Sequence, residues 1–111
     1  MVCNPWEIVV VPFPFTDGPG TKRRPALVLS PVDFNRQSGH SILAMITSAE
    51  RSAWPGDIPL DPALLGLHKA CVIRMKLFTI DNLLVVKSIG RLPVAAQGKL
   101  RLFLDTLCQP A

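Results

Sequence analysis

Lys22-Arg23-Arg24-Pro25-Ala26-Leu27-Val28-Leu29-Ser30 sets two guanidiniums at the mouth of a short apolar run, with Pro25 fixing the backbone at the junction. The residues before it, Phe13-Pro14-Phe15-Thr16-Asp17-Gly18-Pro19-Gly20-Thr21, are dense in turn formers. The arginines therefore stand where a loop meets a strand. An arginine pair at a strand edge under a loop suits an anion.

Working outward, eleven prolines and seven glycines punctuate short apolar runs across 111 residues, the rhythm of a β-rich fold rather than a helical bundle. Glu7–Phe13 reads as a first strand, apolar on both faces after Glu7 and so internal to a sheet. Pro25–Ser30 and Ser41–Ser48 read as the second and third, linked by a turn at Asn35–Gly39. Ala49–Gly56 reads as a surface loop and Asp57–Leu60 as a short edge strand, since proline is confined to edges. Asp61–Gly66 has a capping acid, a first-turn proline and a terminating glycine, which predicts one helical turn. Ala70–Phe78 and Leu83–Ile89 read as a hairpin around Asp81-Asn82.

After Pro93, residues Ala96, Leu100, Phe103, Leu104 and Leu107 recur at helical spacing, with Gln97, Lys99, Arg101 and Asp105 on the other side. Gly98 inside this helix costs about 1 kcal/mol relative to alanine. The sum is a mainly β chain with a C-terminal helix, a small Src-homology-3-like (SH3-like) β-barrel forming one domain over residues 1–111.

Hydrophobic residues make up 49% and charged residues only 18%. A small domain has too much surface to hide so much apolar material, which predicts a homodimer. The longest apolar stretches fall far short of the ~20 residues needed to cross a bilayer. Met1–Pro5 carries no basic region followed by an apolar one, so the expected address is the cytoplasm. Cys3, Cys71 and Cys108 are odd in number and far apart, which fits neither a disulfide framework nor a zinc site. No metal and no cofactor are expected. The net charge of +4 makes polyanions or acidic peptides suitable partners.

Several segments, in order, resemble the MazF/PemK/Kid-type toxins of type II toxin–antitoxin systems. They are Glu7-Ile8-Val9-Val10-Val11 leading to Phe13, Arg24-Pro25-Ala26-Leu27-Val28-Leu29, Ile46-Thr47-Ser48, Gly66-Leu67, Val72-Ile73-Arg74, Thr79-Ile80-Asp81 and Ile89-Gly90-Arg91-Leu92. The resemblance covers nearly the whole chain. It implies a CcdB/MazF-type barrel, a homodimer that cuts single-stranded RNA without a metal, and neutralisation by a cognate acidic antitoxin. It also implies a catalytic pair, the arginine before the proline and the threonine of the triplet, here Arg24 and Thr47.

RNA brings its own nucleophile, the 2′-hydroxyl, so the protein must position it and stabilise charge at phosphorus. An arginine is effectively always protonated and offers forked donors, a clamp rather than a base. A threonine hydroxyl can add a second donor. Donors of this kind are worth roughly 3 to 4 kcal/mol each, so a pair supplies on the order of 10⁴- to 10⁶-fold in rate.

Candidate substrate contacts are Arg23, Ser48, Arg74, Lys76, Lys22, Asp17 and Trp54. Arg74 and Lys76 share one strand face, about 6.6 Å apart, with Cys71, Ile73, Met75 and Leu77 opposite. One branch of the family has a catalytic acid where Lys76 stands, so no carboxylate base acts at that position. Some relatives carry a histidine in the loop before the arginine; this chain has Asp17 and Lys22 there. His40 and His68 read as surface residues. Trp6 reads as an anchor of the barrel and Trp54 as a base-stacking or partner contact. Two alternatives share the fold: a gyrase poison like CcdB, against which the absence of a C-terminal Trp-Gly-Ile tells, and an inactive RNA-binding relative.

Overall fold

The short apolar runs become strands β1 (Glu7–Phe13), β2 (Lys22–Val28), β3 (His40–Ser48), β4 (Ile58–Leu60), β5 (Cys71–Asp81) and β6 (Lys87–Arg91). This is the arrangement in the computed structural model, which describes residues 1–13, 22–49, 53–66 and 69–110. The strands pair antiparallel in the order β4-β5-β3-β2-β1-β6, a six-stranded sheet curled into a half-barrel and closed by a C-terminal helix.

β1 lies between β2 and β6, as its two-sided apolar run requires. Alternation divides its side chains between two cores. Ile8 packs with Leu27, Ala44, Ile46, Ile73 and Leu100, whereas Val9, Val11 and Phe13 pack with Ala26, Val28, Leu43 and Ile80. β4 sits at the sheet edge, where the missing N–H of Pro59 is tolerated. The 3₁₀ turn Pro62–Leu65 follows, its start capped by Asp61, which accepts from the Ala63 amide at 2.9 Å, and its end by Gly66 at φ 66°.

Two expectations are corrected. The turn expected at Asn35–Gly39 is the end of a helix, α1 (Val32–Ser38), which closes at Gly39 with φ 71°. Its anchor is tertiary. Asn35 is fully buried and donates to the carbonyls of Cys3 at 2.9 Å and Ser30 at 3.1 Å, while the Ser30 hydroxyl donates to Asn35 Oδ1. The second correction concerns the hairpin, because β5 pairs with β3 and β4 while β6 pairs with β1 on the far side of the sheet. Between them a 3₁₀ turn at Asn82–Leu84 redirects the chain. Asn82 is drawn into the α1 network, accepting from Ser41 Oγ at 2.7 Å and donating to the Asn35 carbonyl at 2.7 Å.

The C-terminal helix, α2 (Val94–Leu107), lays Ala96, Leu100, Phe103 and Leu104 on the first core, with Leu100 fully buried. Leu107 lies outside that contact, half exposed. Trp6 anchors the same core, with its amide bound to the Val28 carbonyl and its own carbonyl to the Leu92 amide, both at 2.8 Å. No described helix is long and apolar enough to cross a membrane.

Candidate functional site

The β2–β3 ladder runs only from Val28–Leu43 to Ala26–Met45. The same register continued brings Arg24 level with Thr47. Pro25 has no N–H with which to extend the ladder, and the two strands part at that point. A cavity of about 440 Å³ opens there, lined by Lys22, Arg23, Arg24 and Pro25 of β2, Ile46, Thr47 and Ser48 of β3, and Lys69 and Cys71 at the start of β5.

Arg24 lies on the same side of β2 as Ala26 and Val28, and Thr47 on the same side of β3 as Leu43 and Met45, so both belong to the face of the second core. Thr47 is 7% exposed. Arg24 is half-buried, and its Nε is buried with no hydrogen-bond partner among the described residues. An unsatisfied buried donor costs about 1–3 kcal/mol, so a cation left in this state beside a cavity is set up for an acceptor that arrives from outside. Arg23 and Lys22, at the rim of the same cavity, are exposed. Five expected residues, Lys22, Arg23, Arg24, Thr47 and Ser48, thus meet in one cavity.

Trp54, Arg74 and Lys76 form a second group. Arg74 is only 5% exposed and is gripped by Asp57, with Nε to Oδ1 at 3.1 Å and Nη2 to Oδ2 at 2.8 Å. The hydrogen bond from Arg74 holds the Asp57 carboxyl below its ordinary range and raises Arg74 in turn. Asp57 Oδ2 also accepts from the Trp54 amide at 3.2 Å, which fixes the turn carrying the indole. Over that ring stand Lys76 Nζ at 4.6 Å and Arg74 Cζ at 5.9 Å from the centroid, and the indole is 40% exposed. Arg74 is therefore a buried brace for Trp54, and Lys76 is the exposed cation of the pair.

The two groups share a face, since Thr47 stands opposite Val72 and Met45 opposite Arg74. Arg74 is three residues beyond Cys71, about 10 Å along the strand at roughly 3.3 Å per residue. Asp17 and His68 lie outside the described residues. His40 is exposed, its Nδ1 3.0 Å from the Ser38 carbonyl oxygen.

Sequence reading missed Asp57, Lys69 and Cys71. The last two reach the cavity through the Ser48–Cys71 pairing of β3 with β5, which no local pattern reveals. Burial pushes the Cys71 thiol up, and it donates to the Lys69 carbonyl at 3.4 Å. Among the described residues, no three His, Cys, Asp or Glu side chains are placed to hold a metal ion.

Residues 4–106 match the family described as PemK-like, MazF-like toxin of type II toxin-antitoxin system. MazF from Deinococcus radiodurans is 27% identical, with a TM-score of 0.74 over 96% of each chain. A MazE–MazF complex from the same organism gives 26% identity and a TM-score of 0.75, also over 96% of each chain. An endoribonuclease in complex with its cognate antitoxin from a mycobacterial species is 17% identical, with a TM-score of 0.70 over 99% of this chain and 97% of that one; that likeness is one of fold alone. No curated protein matches the sequence.

Proposed function

Because the chain belongs to the PemK-like, MazF-like toxins of type II toxin–antitoxin systems, we propose that it is an endoribonuclease that cuts single-stranded RNA without a metal. The observation that carries this reading is the buried Nε of Arg24, without a hydrogen-bond partner among the described residues, in a cation-lined cavity level with Thr47. A scissile phosphate seated there receives forked donors from Arg24 and the hydroxyl of Thr47. The 2′-oxygen attacks phosphorus, the bond to the 5′-oxygen breaks, and the products are a 2′,3′-cyclic phosphate and a 5′-hydroxyl. Lys22 and Arg23 hold flanking phosphates, and Ser48 borders the reacting group. Trp54 offers a face for a neighbouring base, with Lys76 beside it for the phosphate that follows.

In this reading the toxin works in the cytoplasm as a homodimer whose buried area exceeds about 1,000 Å². It is neutralised by an acidic antitoxin segment that orders on the same cationic face. The test is to digest a defined RNA pool in excess EDTA and map the cut ends. Cyclic phosphate and 5′-hydroxyl termini at a recurring sequence support the reading. Intact RNA, or 5′-phosphate ends, refutes it.

A further inference from the structure

The sheet order places β3 between β2 and β5, so Thr47 lies on the floor of the cavity with a wall on either side. Arg24 stands on the β2 wall. The other wall is the segment entering β5, and among the described residues its one cation in the cavity lining is Lys69. The backbone there is tied down, since the Ala70 carbonyl accepts from the Ala49 amide at 3.0 Å and the Lys69 carbonyl accepts from Cys71 Sγ. The Lys69 side chain itself is exposed, and among the described residues no carboxylate pairs with it.

In-line displacement at phosphorus puts the entering and leaving oxygens on opposite sides, and the leaving 5′-oxygen needs a proton. A guanidinium holds its protons too tightly to supply one, whereas a lysine ammonium can release one. The hydroxyls of Thr47 and Ser48 are hydrogen-bond donors but poor acids, and Lys22 stands on the same wall as Arg24. We infer that Lys69 is the general acid of the reaction, giving its proton to the departing 5′-oxygen across the cavity from Arg24. As the P–O2′ bond forms, the 2′-hydroxyl proton passes to water. As the P–O5′ bond breaks, the 5′-oxygen takes a proton from Lys69, which water then restores.

This rests on the ribonuclease reading, and the test separates the two. Wild type, Lys69→Ala and Lys69→Arg are compared in single turnover on an RNA with its natural 5′-oxygen at the cut site, and on the same RNA with bridging 5′-sulfur, a leaving group that needs no proton. Lys69→Ala should lose about 10²- to 10⁴-fold on the oxygen substrate. On the sulfur substrate it should return to within a few fold of wild type. Lys69→Arg, which keeps the charge, should be nearly as slow as Lys69→Ala on oxygen and equally rescued on sulfur. An unchanged rate on oxygen, or an equal loss on both substrates, overturns the assignment, the second outcome making Lys69 a phosphate contact. A wild type that cleaves neither RNA overturns the ribonuclease reading, and the role of Lys69 with it.

Discussion

Gly56 sits in the turn between Trp54 and Asp57 at φ 80°, and a Cβ built on it falls 2.3 Å from Cζ and 2.4 Å from Cε1 of Phe103. Gly56→Ala therefore meets two costs. The left-handed backbone costs a residue with a Cβ about 1–2 kcal/mol. Driving the Phe103 ring away from its packing adds about 1–3 kcal/mol, the usual range for overpacking. The total of roughly 2–5 kcal/mol corresponds to a fall in Tm of about 10–25 °C for a chain of this size. Gly98→Ala is the internal control, because a Cβ there meets nothing within 4 Å and the residue is helical. It should raise stability by up to about 1 kcal/mol. Thermal melts followed by circular dichroism read both variants, and equal Tm values would refute the packing of α2 against the Trp54 turn.

Asp57 is held below its ordinary range by Arg74, so its contribution is complete above about pH 4 and is lost as pH falls through the lowered folded-state value. The Tm advantage of wild type over Asp57→Asn should be constant from neutral pH to pH 5 and shrink in stronger acid, which pH-dependent melts will check. Arg24→Ala and Thr47→Ala should each slow RNA cleavage by about 10²-fold or more with the fold intact, measured in single turnover, if the pair clamps the transition state as proposed. Trp54→Ala should weaken RNA binding by about 1–3 kcal/mol in a fluorescence-anisotropy titration, with Trp54→Phe recovering most of it.

What the sequence shows of this fold is what local chemistry decides. β1 is legible from its continuous apolar run, the Pro62–Leu65 turn from Asp61 and Gly66, and α2 from its stripe. α1 is hidden because Asn35 and Ser38 are turn formers by composition, and only the buried network through Ser30, Asn82 and Cys3 makes them helical. The separation of β5 from β6 is likewise a matter of partners far along the chain. In the site, Arg24 and Thr47 stand out through motif, but Lys69 enters by strand register. Arg74 reads in the sequence as a substrate contact, and its ion pair with Asp57, seventeen residues away, is not legible there.

In the proposed reaction the cavity at Arg24 and Thr47 cuts RNA with the substrate's own 2′-hydroxyl. The most direct measurement is cleavage in excess EDTA of a defined RNA carrying a single 2′-deoxy nucleotide on the 5′ side of the mapped cut. This one substitution should abolish cleavage there while leaving binding nearly unchanged. Cleavage of the deoxy-substituted strand at the rate of the all-ribose strand would contradict it.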